Sequence, residues 1–190
     1  GVNRAVQMVG NLLDQGKRVA TLGPTIHNPQ IIDSFSSRGV RIVDRPEEVL
    51  PKEVLVIRSH GVPQKTMDLL WKMKIDYEDA TCPFVEKIHQ IVLQASKDGR
   101  FVFIIGDYSH PEVQGIFGYC SDRFHVFATA EEIEAYSKMH QIPEDTPITV
   151  VAQTTYHTKE WKNCLEKIKR VYTNAVVFDT ICNATSVRQK

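Results

Sequence analysis

The sequence predicts an α/β protein made of two similar domains, each with a parallel sheet flanked by helices. Three observations lead to this prediction. Short apolar runs alternate with longer amphipathic segments along the chain. A pattern of strand, glycine and histidine recurs at an offset of 83 residues, which takes Gly23 to Gly106. Each copy then closes with a strand and a cysteine. Parallel strands covered on both faces have this apolar character, and alternation with helices is typical of α/β layering.

The apolar runs give the strands in chain order. We predict strands at 18–22, 40–43, 54–57, 76–80, 101–105, 125–128, 148–152 and 176–178. Segments with helical spacing of apolar residues lie between them. They predict helices near 2–15, 28–38, 63–74, 84–97, 110–120, 129–138 and 157–172. No low-complexity linker interrupts this pattern.

An internal repeat defines the domains. The segment GKRVATLGPTIHNPQ at 16–30 recurs as GRFVFIIGDYSHPEV at 99–113, and EVLVIRSHG at 53–61 recurs as PITVVAQTT at 147–155. We therefore predict a first α/β domain over 1–82 and a second over 83–179. Residues 180–190 are expected to start a third domain that is absent.

The cysteines follow the same repeat. DATCP places Cys82 just before the predicted helix of the second copy, and DTICN places Cys182 at the equivalent point. The 83-residue offset puts a further cysteine two residues upstream of Gly1. Because the chain opens in a helical segment without Met, we expect it to be a piece of a longer protein.

Composition excludes several classes of function. Hydrophobic residues make up 42% and charged residues 24% of the chain, which is ordinary for a globular protein. Lys plus Arg and Asp plus Glu are balanced at 23 each, so no basic surface for nucleic acid is expected. No apolar run approaches the roughly 20 residues of a membrane span, and we expect no secretory signal. We expect a cytoplasmic protein without disulfides or membrane contact.

Cys82 and Cys182 are candidate ligands of an iron–sulfur cluster. Each follows a strand and precedes a helix, whose free N–H groups stabilise the thiolate that binds iron. Three such units around an axis would bring three thiolates together and leave one iron open. The alternative is that these cysteines only pack at a repeated turn. Cys120 and Cys164 have no counterpart in the other copy and are expected to be buried structural residues.

Three histidines lie at the same strand ends. His27, His60 and His110 each follow a strand and have small or polar neighbours. Their imidazoles could bind a diphosphate or move protons, although a single strand-end histidine is more often structural. The other four histidines show no such pattern and are expected to be surface or packing residues.

Glu112 and Thr154 have two open interpretations each. Glu112 could favour the helix dipole or, if burial raises its pKa, donate a proton to a reacting hydroxyl. Thr154 and the preceding Gln153 could bind substrate oxygens or cap the next helix. Because no Gly-rich phosphate loop is present, a nucleotide cofactor is not supported.

With these residues in place, the sequence resembles the 4-hydroxy-3-methylbut-2-enyl diphosphate reductase family of the methylerythritol phosphate pathway. The similar blocks are GVNRAV at 1–6, GPTIHNPQ at 23–30, IRSHGV at 57–62, DATCPFVEKIH at 79–89, SHPEVQG at 109–115, AQTT at 152–155 and DTICNATSVRQ at 179–189. The resemblance implies a trefoil of three α/β domains around a [4Fe–4S] cluster. It implies Cys82 and Cys182 as the second and third cluster ligands.

The resemblance also implies roles at the strand ends. The three histidines would bind the diphosphate, Glu112 would take part in delivering a proton to the substrate hydroxyl, and Thr154 would contact the substrate. The implied reaction is a two-electron reductive dehydroxylation of the allylic diphosphate to isopentenyl and dimethylallyl diphosphate. A ferredoxin or flavodoxin would supply the electrons.

The chain departs from the family pattern, because the first cysteine and the third domain are absent. We therefore expect it to be inactive alone. One alternative is a diphosphate-binding module without redox activity. Another is a zinc site made by the two strand-end cysteines and a histidine, which the lack of a close pair such as CxxC disfavours.

Overall fold

The computed structural model describes residues 2–23, 28–140 and 142–182. The chain forms two compact units, Gly1–Val85 and Glu86–Lys190, and each is described by itself. The predicted boundary after Cys82 lies close to this division. His27 and most of the predicted start of a third domain, 183–190, lie outside the described residues.

The first unit contains a four-stranded parallel sheet with the order β2-β1-β3-β4 in its described part. Its elements are α1 (Val2–Asp14), β1 (Arg18–Leu22), α2 (Pro29–Ser37), β2 (Arg41–Val43), a 3₁₀ turn at Pro46–Glu48, β3 (Glu53–Ile57), α3 (Gln64–Lys72) and β4 (Tyr77–Asp79). The first strand lies inside the sheet, and the chain crosses over it to reach β3.

The second unit repeats this topology with the order β6-β5-β7-β8. Its elements are α4 (Pro83–Lys97), β5 (Phe101–Ile105), α5 (Pro111–Phe117), β6 (Phe124–Phe127), α6 (Ala130–His140), β7 (Ile148–Ala152), α7 (Thr158–Val171) and β8 (Ala175–Val177). The prediction of two similar parallel-sheet α/β domains is confirmed.

Helices cover both faces of each sheet. In the second unit, Val102 and Ile104 of β5 pack with α4 and α5, whereas Phe103 and Ile105 pack with α6 and α7. The first unit has the same layers, with α1 and α2 on one face and α3 on the other. Because alternate residues of a strand point to opposite faces, both sets are buried, which accounts for the continuous apolar runs.

The sheet pairing corrects one part of the repeat alignment. Ile57 and Ala152 occupy equivalent places, because each pairs with the last residue of the strand that opens its unit. The offset here is therefore 95 residues, and the alignment of 53–61 with 147–155 is wrong by one residue. Both strands are apolar at every position, so their pattern does not fix the register.

Most predicted elements are confirmed with ends shifted by a few residues. The helix predicted at 63–74 ends at Lys72, and Lys74 adopts a left-handed conformation with φ 56° that a helix cannot continue through. The helix predicted at 110–120 ends at Phe117, with Gly118 as its C-cap. Among the described residues, no helix is both long and apolar enough to span a bilayer.

Gly23 is expected to be intolerant of a side chain. Its φ is +74°, and an added Cβ would clash with Nη1 of Arg58. Gly39 has a similar φ of +87° but nothing within 4 Å. Gly39→Ala should cost about 1 kcal/mol of unfolding free energy from backbone strain alone, and Gly23→Ala about 1 kcal/mol more, because the added Cβ displaces the Arg58 guanidinium from its hydrogen bond with the Leu22 carbonyl. Urea titration of both variants measures the difference; equal losses would contradict the predicted contact.

Candidate functional site

The candidate residues lie at the carboxyl end of each sheet, where the strand connections diverge. The loop after β5 leads to α5 on one face, and the loop after β7 leads to α7 on the other. The loops after β1 and β3 diverge in the same way. In open α/β sheets, the crevice between such strands is the usual place for ligands.

In the second unit, Glu112 and Thr154 are joined across this crevice. The Thr154 hydroxyl donates to Oε1 of Glu112 at 2.5 Å, and the Thr154 backbone N–H donates to Oε2 at 3.1 Å. Glu112 is only 2% exposed and Thr154 only 7%. The proposed capping role of Thr154 is wrong, because α7 has His157 as its N-cap and the Thr154 side chain bonds to Glu112.

Burial raises the pKa of Glu112 above its ordinary value. The two hydrogen bonds from Thr154 act in the opposite direction, because they stabilise the carboxylate, but desolvation is the larger effect. A raised pKa of this kind is one requirement for a carboxyl group that donates a proton. A carboxyl group held in this way can keep its proton to a higher pH than an exposed glutamate.

His110 and Cys182 extend the same hydrogen-bonded group. His110 is the N-cap of α5, and its Nδ1 accepts the backbone N–H of Glu112 at 3.1 Å. The neutral ring therefore carries its proton on Nε2, which makes that atom a donor. The backbone N–H of Cys182 donates to the carbonyl of Thr154 at 2.8 Å. Four of the predicted site residues are thus linked within one unit.

The first unit has an equivalent arrangement. The backbone N–H of Cys82 donates to the carbonyl of Ser59 at 3.0 Å, so Ser59 is the counterpart of Thr154. Ser59 is 7% exposed, and His60 follows it directly. Sequence analysis missed Ser59 because the one-residue error in the alignment placed His60 opposite Thr154.

Two further side chains form hydrogen bonds that hold the crevices in shape, and they occupy equivalent positions in the two units. Gln153 accepts the backbone N–H of Asp107 at 3.0 Å and donates to the Thr155 hydroxyl at 2.8 Å. Arg58 donates from Nη1 to the carbonyl of Leu22 at 3.0 Å. Each side chain packs against the glycine that follows the first strand of its unit. The structural role of Gln153 in the second crevice was not predicted, and neither was any role for Arg58.

The remaining cysteines differ from the strand-end pair. Burial raises the pKa of Cys120 to about 12 and that of Cys164 to about 11, which disfavours a metal-binding thiolate. Cys82 and Cys182 are only partly buried free thiols at equivalent strand ends. These two therefore fit a thiolate-bound metal group better than the other two. No group of three or more His, Cys, Asp or Glu side chains that could hold a metal occurs in the described residues.

The raised pKa of Glu112 makes the stability of the chain depend on pH. The unfolded state loses this proton near the ordinary pKa of 4.5, whereas the folded state keeps it to a higher pH. The stabilising contribution of the protonated group is complete below about pH 4.5 and is lost as pH rises through the folded pKa. Glu112→Gln cannot titrate, so the melting temperature of the variant minus that of the unmutated chain should increase from pH 4.5 upward. Thermal melts across pH 4–8 measure this, and a difference independent of pH would contradict the raised pKa.

Comparisons with known proteins agree with these observations. The sequence profile of the family described as LytB protein matches residues 1–190. A 4-hydroxy-3-methylbut-2-enyl diphosphate reductase from Thermoanaerobacter sp. (strain X514) is 39% identical over 193 residues, covering 100% of this chain and 65% of the relative. The reductase of the same name from Citrifermentans bemidjiense is 36% identical with the same coverage. The chain thus spans about two thirds of the length of these relatives.

Solved structures show the same fold. A structure described as (E)-4-hydroxy-3-methyl-but-2-enyl diphosphate reductase superposes with a TM-score of 0.83 at 37% identity, covering 99% of this chain and 66% of the other. The E-1-hydroxy-2-methyl-but-2-enyl-4-diphosphate reductase from Plasmodium falciparum superposes with a TM-score of 0.88 at 23% identity, covering 99% and 59%. The latter likeness concerns the fold alone. Because the family profile matches residues 1–190 of the sequence, this chain belongs to the LytB protein family.

Proposed function

We propose that the full-length protein catalyses the reductive dehydroxylation of 4-hydroxy-3-methylbut-2-enyl diphosphate. In this reaction the allylic C–O bond breaks and the oxygen leaves as water. Two electrons and two protons are consumed, one proton leaving in the water and the other bonding to carbon. The products are isopentenyl and dimethylallyl diphosphate. The relatives described above are 4-hydroxy-3-methylbut-2-enyl diphosphate reductases, which supports this assignment.

The observation that carries the proposal is the buried pair of Glu112 and Thr154. Hydroxide is a poor leaving group, so the departing oxygen needs a proton. Burial raises the pKa of Glu112, so this group holds its proton to a higher pH than an exposed glutamate, in a crevice from which bulk water is largely excluded. The hydroxyl of Thr154 fixes the carboxyl group and can reorient toward a substrate oxygen.

Cys82 and Cys182 are the residues that would hold an iron–sulfur cluster. Both are partly accessible thiols, and in each case the backbone N–H is anchored to the neighbouring strand end. This anchoring fixes the main chain of a ligand, which favours ordered binding of the metal group. When bound, a [4Fe–4S] cluster supplies the electrons for cleavage of the C–O bond.

The histidines would hold the diphosphate of the substrate. His110 can donate from Nε2, because its Nδ1 is engaged by Glu112. His60 is placed at the equivalent edge of the first sheet, next to Ser59. His27, outside the described residues, is proposed for the same role from its position in the repeat.

We further propose that the protein acts in the cytoplasm and takes electrons from a ferredoxin or flavodoxin. The four cysteines are free thiols, as a reducing compartment requires. Each turnover consumes two electrons. Because an iron–sulfur cluster accepts electrons one at a time, a carrier that delivers single electrons is suited to supply them.

The experiment that tests the function is turnover by the full-length protein under anaerobic conditions. Reconstituted protein is mixed with reduced flavodoxin and 4-hydroxy-3-methylbut-2-enyl diphosphate, and the two products are separated and measured. The present chain of 190 residues serves as the comparison and is expected to be inactive. Binding of the diphosphate without product from the full-length protein would instead support a binding module.

A further inference from the structure

Arg58 is a partly buried cation with no ion-pair partner among the described residues of the first unit. It is the first residue after β3, at the crevice between β1 and β3. Its Nη1 donates to the carbonyl of Leu22, and its Nε is buried with no hydrogen-bond partner among the described residues. Burial alone lowers the pKa of this guanidinium. Buried charges are usually paired, because an unpaired one is costly to desolvate.

No side-chain carboxylate in the described part of the first unit pairs with Arg58. None of the ion pairs in the described part of the chain includes Arg58. The residues outside that part are Gly1, 24–27, Gln141 and 183–190, and none of them is Asp or Glu. The first unit therefore supplies no counter-charge for Arg58, and an anion bound in its crevice would provide one.

The second unit shows that the fold itself does not need a charge here. Gln153 occupies the equivalent position and packs against Gly106 as Arg58 packs against Gly23. It is neutral, and both ends of its amide are hydrogen-bonded. The corresponding crevice is formed without a cation, so the turn does not require the charge of the arginine.

We infer that Arg58 is an electrostatic positioning residue for the diphosphate of the substrate, whose negative charge supplies the missing counter-charge. This inference rests on the proposed function. Arg58 holds the end of β1 through Leu22 and lies two residues before His60, a proposed diphosphate ligand. Its field favours an anion in the first crevice without requiring direct contact, because a charge that is partly withdrawn from water is screened less than an exposed one.

The test compares charge-removing and charge-keeping variants of the full-length, cluster-loaded protein. Arg58→Gln introduces the residue that the second unit uses at this place, whereas Arg58→Lys keeps the charge. Arg38→Gln removes an exposed charge whose salt bridge to Asp14 lies at the surface, and serves as the control. The dissociation constant of inorganic diphosphate is measured by calorimetry, together with KM, kcat and melting temperature.

Arg58→Gln is expected to weaken diphosphate binding and raise KM about tenfold while kcat stays within about twofold. Arg58→Lys and Arg38→Gln should bind diphosphate within about twofold of the unmutated protein. The inference would be overturned if Arg58→Gln bound diphosphate as well as the unmutated protein, or if Arg58→Lys lost as much affinity as Arg58→Gln. It would also be overturned if Arg58→Gln did not fold. If the unmutated protein does not bind diphosphate at all, the proposed function fails. If it binds diphosphate and Arg58→Gln binds it equally well, only the inference about Arg58 fails.

Discussion

Glu112→Gln is expected to lower kcat of the full-length protein by about 10²–10⁴-fold, the range that a positioned general acid contributes. Glutamine keeps the shape of the side chain and can still bond with Thr154, but it has no proton to give. Because diphosphate binding is assigned to other residues, KM should change by only about threefold. Steady-state assays with 4-hydroxy-3-methylbut-2-enyl diphosphate measure both constants.

The pH profile distinguishes proton donation from a structural role. Glu112 must be protonated to act, so activity of the unmutated protein should fall as pH rises through the raised pKa of this group. The residual activity of Glu112→Gln should lack that fall. Thr154→Val removes the hydroxyl that donates to Oε1, and Thr154→Ser keeps it. The valine variant should lose activity and the serine variant should retain most of it.

Glu132→Gln is a matched control. The Glu132 carboxylate also accepts a backbone N–H, from Ala128 at 2.7 Å, but this side chain is exposed. The substitution therefore tests whether replacing a hydrogen-bonded carboxylate by an amide lowers activity wherever it is made. Comparable loss in Glu132→Gln, or kcat of Glu112→Gln within about threefold of the unmutated protein, would contradict the role of Glu112.

The fold was largely predictable because parallel sheets have a strong sequence signal. Strands buried on both faces are continuous apolar runs, and the Gly23 and Gly106 turns mark the same point in each copy. The same continuity hid which residue of β7 corresponds to each residue of β3. Only the pairing of Ile57 and Ala152 with their neighbouring strands fixes the equivalence.

The sequence indicates candidate members of the site but not their contacts. It places Glu112 in the first turn of a helix and Thr154 at a strand end, yet it leaves helix capping and substrate binding equally open for Thr154. The hydrogen bonds between them join residues 42 positions apart, so no local pattern reveals them. Arg58 was missed for a related reason, since an unpaired charge is recognised only when all nearby carboxylates are known.

Cys82→Ser and Cys182→Ser are each expected to abolish turnover of the full-length protein, with a loss of at least about 100-fold, and to lower its iron content in parallel. A hydroxyl is a much poorer iron ligand than a thiolate, and a cluster that loses one of few protein ligands is released. Iron and sulfide analysis after anaerobic reconstitution, with absorption and Mössbauer spectra, measures the loss.

Cys120→Ser and Cys164→Ala provide the controls that make this prediction specific. In the second unit Cys164 is buried and Cys120 is partly buried, and burial raises their thiol pKa to about 11 and about 12. They should not bind iron, and their replacement should leave iron content and turnover within about twofold, at a cost in stability of about 1 kcal/mol. Equal iron loss in all four variants would indicate general misfolding. Iron retained in both Cys82→Ser and Cys182→Ser would leave these cysteines as packing residues, and redox chemistry would lose its place in the proposed function.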